Sequence, residues 1–348
     1  MQLDKVIRGC LCVALAFSTG VIACPDYDDL PFYKALKASN LTSDELAKRW
    51  YTVEPSDKPQ FNPSTWPKST LSYCFEDDNA RTQLKHIIES AWKIWQAAGV
   101  SYRINMGEYN DCPPAVNGLV PMGATHMLVR ALTNGEMVTS VGYHIYNPGV
   151  GPVMRFDPSP AIGMRDPVAN MAHEIGHAWG FFHEQQRGSF WKRHEYAEAK
   201  GVTNQINFVC SNLADYSVVG GQLDGTMDDA CHSQLRAKNR RFSAQEFLPM
   251  PLAATKELAS GDYDWDSIML YASPIAGAVR DGAPINVYRR ASDGKVITYN
   301  KSPSQRDVNR FNAMYSAKAP YPNPCLINQG CSPKQALFLR GKAICNWK

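Results

Sequence analysis

The 348-residue chain contains no run of about 18 uninterrupted apolar residues, so no stretch has the length of a bilayer-spanning helix. Charge of one sign is also lacking: 36 Lys and Arg against 33 Asp and Glu leave a net +3. There is no basic run and no ladder of aromatics, which excludes the usual footprint of a nucleic-acid binder. The chain has 10 cysteines but no C-x-x-C unit, which argues against a cysteine zinc site.

The N-terminus has the pattern of an export leader. Lys5 and Arg8 precede a short apolar segment, Gly9–Phe17, and Val21-Ile22-Ala23 offers a cleavage site ahead of Cys24. The same residues loosely fit a lipoprotein box that would acylate Cys24, although its usual Leu is absent. Outside the leader, eight cysteines remain: Cys24, Cys74, Cys112, Cys210, Cys231, Cys325, Cys331 and Cys345. An even set in an exported chain implies disulfides, and the local pair Cys210–Cys231 is the first candidate. Asn40-Leu41-Thr42 and Asn300-Lys301-Ser302 are N-glycan sequons if the source is eukaryotic. Residues 24–64, rich in Asp, Lys, Ser and Pro, read as an extension or pro-peptide, with Lys48-Arg49 as a possible processing site.

The chain is organised around Asp166–Gln186, D-P-V-A-N-M-A-H-E-I-G-H-A-W-G-F-F-H-E-Q-Q. Asp166 caps a helix start and Pro167 suits its first position, where a missing N–H costs nothing. His173 and His177 then lie one turn apart on one face, an arrangement that suits two imidazole ligands of zinc. Glu174 sits between them, placed to reach a water rather than the metal. Gly180 ends the helix through a left-handed turn that brings back His183 as a third ligand. Three protein ligands leave a fourth position open, as catalytic sites do.

These residues spell H-E-x-x-H-x-x-G-x-x-H, the long zinc motif of the metzincin metalloproteases, and Glu184 extends it to a form that resembles the astacins. A second element of the resemblance is Ser267-Ile268-Met269-Leu270-Tyr271, similar to the astacin methionine turn Ser-Ile-Met-His-Tyr except at Leu270. The resemblance implies Met269 as the apolar floor beneath the zinc and Tyr271 as a phenol that stabilises the oxyanion. For Glu184 it implies a water-mediated bond to a buried mature N-terminus rather than a chemical role. The separation between His183 and Met269 implies an insertion. No Phe-x-Gly-Asp segment, the usual zinc-occupying motif of astacin pro-segments, is found. Trp66-Pro67 resembles the opening of an astacin domain.

The expected fold is α+β: a metzincin-type, two-subdomain zinc protease with a twisted mixed sheet, an active-site helix and a less regular C-terminal half. The expected domains are a signal peptide at 1–23, the extension at 24–64, a catalytic domain at 65–318 and a Cys-rich tail at 319–348. Strands are expected at Thr70–Phe75, Val100–Met106, Thr125–Leu132 and Met137–Ile145, and an amphipathic helix at Asn79–Ala98. Its stripe is Leu84, Ile87, Ile88, Ala91, Ile94, Trp95 and Ala98, and Gly99 stops it. Pro152–Phe156 is expected as the edge strand along which an extended substrate pairs. A last helix begins near Ser304–Asp307. The acidic cluster Asp262, Asp264 and Asp266 lacks the spacing of a calcium loop and reads as turn chemistry. His86, His126, His144, His194 and His232 have no partner spacing and are assigned no site.

The expected function is that of a secreted, extracellular, zinc-dependent (Zn2+) endopeptidase acting on peptide bonds of extracellular proteins. Its metal ligands are His173, His177 and His183, and its catalytic residues are Glu174 and, by resemblance, Tyr271. Oligomeric state is not legible. Two alternatives stay open: an exported metzincin peptidase outside the astacin group, and a non-catalytic secreted protein with a vestigial zinc site. Trimming after Lys48-Arg49 predicts a mature N-terminus just beyond Arg49, against Cys24 if only the leader is removed. N-terminal sequencing of the secreted protein separates the two.

Overall fold

The computed structural model describes residues 64–109, 126–144, 151–188, 191, 205–220, 227–249 and 263–315. The leader, the extension up to residue 63, the Asn40 sequon, His194, Asp262 and the C-terminal tail lie outside the described residues. The architecture is α+β, with a mixed five-stranded sheet and helices packed against it.

Strand β1, Thr70–Phe75, forms where expected. It leads to helix α1, Asp78–Ala98, whose N-cap carboxylate on Asp77 accepts from the Ala80 N–H at 2.7 Å. Gly99 closes α1 at φ +112°, a backbone region that favours glycine. Of the expected stripe, Leu84, Ile87, Ile88, Ala91 and Trp95 are buried, whereas Ile94 and Ala98 are only partly so. Trp92 is buried in addition, because its ring stacks on Trp179 at 5.8 Å.

Strand β2 is Asn105–Glu108, not Val100–Met106. The chain turns first, with Ile104 N–H donating to the Ser101 carbonyl at 2.9 Å, so residues 100–104 are spent on reversal. Strand β3 is His126–Ala131, β4 is Met137–Thr139 and β5 is Val153–Phe156. β4 is much shorter than Met137–Ile145. Gly142 takes φ +65° and donates to the His177 carbonyl at 3.0 Å, which draws the chain out of the sheet.

The sheet order is β2-β1-β3-β5-β4, parallel throughout except for β4, which runs antiparallel to β5. This corrects one expectation: the edge near the candidate site is β4, and the strand at 153–156 is one position inside it. β5 pairs on both sides, with Arg155 opposite Arg130 on β3 and Val138 on β4.

Helix α2, Pro167–Ala178, follows β5 and is buried from Ala169 to Ala178. Beyond it the chain is built from short pieces. They are β6 (Ile206–Phe208), α3 (Tyr216–Gly220), α4 (Met227–His232), α5 (Gln234–Asn239), β7 (Val279–Arg280), β8 (Ala283–Pro284) and β9 (Tyr288–Arg290). The expected disulfide Cys210–Cys231 is formed and pins α4 to the turn at 210–212. Helix α6, Gln305–Tyr315, returns to the first half.

Two apolar cores result. The first joins the sheet, α1, α2 and α6 and includes Ile268 and Met269; the second gathers the short pieces and includes Leu270 and Tyr271. The methionine turn is therefore the seam between the halves. In the first core, Trp92, Trp95, Trp179, Phe181, Phe311 and Tyr315 form a network of ring contacts at 4.8–6.1 Å. Trp95 is fully buried, and its indole N–H donates to the Ala172 carbonyl of α2 at 2.8 Å. Trp95→Ala should lower the unfolding free energy by about 3–5 kcal/mol, through lost burial and the cavity left behind. Chemical denaturation measures it.

Candidate functional site

Helix α2 starts as its sequence dictates. The Asp166 carboxylate accepts from the N–H groups of Val168 and Ala169, both at 3.1 Å, and Pro167 occupies the first turn. Gly180 adopts φ +104°, its N–H bonding the His177 carbonyl at 2.8 Å, and the chain swings round to His183. All three histidines come together: the His173, His177 and His183 Nε2 atoms lie 3.1–3.2 Å from one another.

The other ring nitrogens explain what these three can do. His173 Nδ1 faces the Ile268 carbonyl at 2.8 Å and His177 Nδ1 faces the Phe181 carbonyl at 2.8 Å. Carbonyl oxygens only accept, so both Nδ1 atoms carry the proton. His183 Nδ1 faces Gln186 Oε1 at 3.1 Å, and the Gln186 amide nitrogen is fixed by donating to the Gln245 carbonyl at 2.9 Å. All three Nε2 atoms therefore present lone pairs to one another and cannot hydrogen-bond among themselves. Burial lowers the pKa of His173 to about 4; burial, then the neighbouring imidazoles, hold His177 and His183 well below their usual range. Three neutral acceptors at this spacing fit a cation. Tetrahedral zinc with N ligands at 2.0–2.1 Å requires nitrogen separations of about 3.3 Å. Among the described residues this is the sole cluster of its kind.

Glu174 is fully buried between the first two histidines, and neither carboxylate oxygen has a hydrogen-bond partner of good geometry. Burial pushes its pKa up to about 7, and the nearby Thr139 hydroxyl of β4 opposes that only in part. A buried carboxyl without a partner is costly, and such a group marks a place where something else binds. It borders a narrow cleft of about 30 Å³, whose wall includes Met137, Met164, Leu270 and Tyr271. The Tyr271 ring lies 4.5 Å from that of His183 and 6.0 Å from that of His173.

Met269 is fully buried in the first core, and its side chain packs against Gly176 of α2. A Cβ at Gly176, inside the three-histidine motif, would meet the Met269 sulfur at 2.4 Å and the Trp95 ring at 3.3 Å, so a side chain there would displace Met269. The turn is held by a residue the sequence reading did not single out. Asp307, buried on α6, accepts from Ser267 Oγ at 2.8 Å, the Ile268 N–H at 2.9 Å and the Ser304 N–H at 3.0 Å. A signal for it existed, since Ser304 and Asp307 cap each other reciprocally at the start of α6.

Glu184 lies at the seam. Its carboxylate accepts from Arg187 at 2.6 Å, from Arg310 at 3.4 Å and from the Asp264 N–H at 3.1 Å. The mature N-terminus that the resemblance implied as its partner lies outside the described residues. Asp264 accepts from the hydroxyl of Ser304 at 2.6 Å and from the N–H of Asp266, the turn chemistry expected of this cluster. The Asn300 amide donates to the carbonyls of Trp265 and Ser267, so this sequon's nitrogen is occupied in the fold. Of the other described histidines, His126 stacks on Tyr109, His232 pairs with Asp228, His86 is exposed and His144 is buried apart from the cluster.

Comparison with protein-family models and with curated sequences returns no match. Among solved structures, the chain is similar to high choriolytic enzyme 1, a hatching enzyme zinc-protease from Oryzias latipes. The match has 14% identity and a TM-score of 0.43, and covers 77% of this chain and 98% of that one. It is also similar to myroilysin, at 15% identity and a TM-score of 0.37, covering 72% of this chain and 95% of that one.

Burial, then the neighbouring Asp264, pushes the Asp307 pKa up to about 6, against about 3.9 in an unfolded chain. A raised folded-state value means that its contribution to stability is complete below about pH 4 and is lost as pH rises through about 6. Asp307→Asn, which cannot ionise, should remove that part of the loss. The difference in unfolding free energy between parent and variant should shift in the variant's favour as pH rises from about 4 to about 6 and stay constant above that.

Proposed function

We propose that this chain is a secreted zinc endopeptidase of the metzincin group, closest in motif to the astacins, which hydrolyses peptide bonds of extracellular proteins. The observation that carries the reading is the set of three inward-facing Nε2 lone pairs, with the buried Glu174 carboxylate, which makes no hydrogen bond of good geometry, on the same helix. His173, His177 and His183 are the metal ligands. Glu174 and Tyr271 are the catalytic residues.

Zinc at this position supplies a Lewis acid and lowers the pKa of a coordinated water from about 15.7 to about 7. The chain's own groups do the rest. Glu174, held in a dry wall beside Thr139, takes a proton from the attacking water and passes it to the leaving amine. Tyr271, whose ring lies against that of His183, turns its phenol to the developing oxyanion. Its backbone is held on both sides, since its N–H donates to Gln185 Oε1 and its carbonyl accepts from the Tyr288 hydroxyl. An extended substrate adds alongside β4, the edge strand at Met137–Thr139, and sets its reacting carbonyl over Glu174.

The export reading is supported by the Lys5–Ala23 leader pattern and the Cys210–Cys231 disulfide; among the described residues no helix is long and apolar enough to cross a membrane. In this reading the catalytic unit spans 65–318. The leader at 1–23 and an extension at 24–64 precede it, and the Cys-rich tail at 319–348 follows.

The test is hydrolysis of a mixed peptide library by the secreted protein, with a chelator and Glu174→Gln alongside. Cleavage should be abolished by the chelator, and the variant should lose about 10²–10⁴-fold in turnover while keeping its zinc. Full turnover by Glu174→Gln would overturn the mechanism. A zinc-loaded, trimmed protein that cleaves nothing would favour the non-catalytic alternative.

A further inference from the structure

His173 and His177 are oriented by main-chain carbonyls, but His183 is not. Its Nδ1 proton goes to a side-chain amide, Gln186 Oε1, at 3.1 Å. A side-chain amide can rotate, unlike a carbonyl fixed by its neighbours, so something must hold it. Gln186 is buried, and its amide nitrogen donates at 2.9 Å to the carbonyl of Gln245, in the single-turn helix Ser243–Glu246. The preceding residue does the same for the other side of the site. Gln185, fully buried, donates from its amide nitrogen to the Glu246 carbonyl at 3.1 Å and accepts the Tyr271 N–H at 3.2 Å on its oxygen. Its own carbonyl accepts from the Trp191 indole at 2.6 Å.

Two consecutive glutamines thus reach the same turn with their nitrogens and hold two different site elements with their oxygens. The turn is itself tied down: the Ser243 N–H and hydroxyl both donate to the Asp215 carboxylate, at 2.8 and 2.5 Å. This turn lies in the long stretch between His183 and Met269, where the resemblance implies an insertion. We propose that Gln185 and Gln186 are positioning residues, through which the turn Ser243–Glu246 fixes the third imidazole and the backbone at Tyr271.

The roles divide. Gln186 holds the proton of His183 on Nδ1, keeps the Nε2 lone pair towards the cluster and so sets metal affinity. Gln185 sets where Tyr271 stands and leaves the three ligands alone. The Gln186 half rests on the zinc reading of the cluster, and the Gln185 half also on the peptidase reading.

The test uses the full-length secreted protein and three variants: Gln186→Met and Gln185→Met, close in volume but without amides, and Gln186→Glu, whose carboxyl, protonated when buried, keeps an acceptor oxygen for His183 and an O–H donor for the Gln245 carbonyl. Zinc affinity is read by competition with a chromophoric chelator. The His183 tautomer is read from nitrogen-15 imidazole signals of the metal-free protein, and folding from circular dichroism. Gln186→Met should bind zinc about 10–100-fold more weakly and lose the Nδ1–H signal of His183, while Gln186→Glu keeps both. Gln185→Met should bind zinc like the parent, with kcat lowered and KM little changed. The proposal is overturned if Gln186→Met keeps parental zinc affinity and tautomer. It is equally overturned if Gln186→Glu fails as badly as Gln186→Met, or if Gln185→Met loses zinc as Gln186→Met does. A parent that binds zinc and responds to the two Gln186 variants as described but cleaves no peptide would leave the Gln186 assignment standing and sink the peptidase reading instead.

Discussion

Three neutral imidazoles can share a buried site only if each is told which nitrogen keeps its proton. Here an oxygen performs that task for every ring: the carbonyls of Ile268 and Phe181 and the amide of Gln186. The rest of the molecule depends on where those three oxygens stand. Phe181 is placed by the left-handed turn at Gly180, and Gln186 by its bond to the Gln245 carbonyl. Ile268 is placed by Asp307, which holds the N–H of the same residue whose carbonyl faces His173. Desolvation acts with the oxygens, since it keeps the rings uncharged and their lone pairs open to a cation.

The seam between the two cores has the same logic. Ile268 and Met269 face the sheet half, and Leu270 and Tyr271 face the second half. One tight turn thus feeds both cores, and a shift of either half would be transmitted to the ligands. Glu184 adds a charged tie at this seam. It gathers Arg187 from its own turn, Arg310 from α6 and the Asp264 amide, so that three separate segments meet on one carboxylate. A buried charge set of this kind contributes little net stability, but removing one member is expensive, which makes it a specifier of geometry.

Much of this was legible in the sequence wherever the physics is local. The periodicity of α1, the caps of α2 and the glycine at 180 depend on neighbours within a turn, and they were read correctly. So was the Cys210–Cys231 pair. Strand limits were misread at β2 and β4, where a turn at Ser101–Ile104 and the left-handed Gly142 cut apolar runs that looked continuous. The edge strand was misassigned because pairing order leaves no trace in a single strand's composition. Asp307, Arg310, Gln185 and Gln186 escaped notice for a related reason. They act through hydrogen bonds to groups up to 126 residues away, and such bonds impose no spacing. At the Asn300 sequon the local pattern is present, and in the fold its amide is engaged by the carbonyls of Trp265 and Ser267.

The bond from His173 to the Ile268 carbonyl spans 95 residues, and the one from Ile268 to Asp307 a further 39. Chain order therefore imposes a time order during synthesis. At ordinary elongation rates, Asp307 is added on the order of ten seconds after His173. Through that interval the zinc motif is complete as a sequence while its first imidazole has no fixed orientation. The three-histidine segment is thus complete on the nascent chain before the residues that orient its first ring exist.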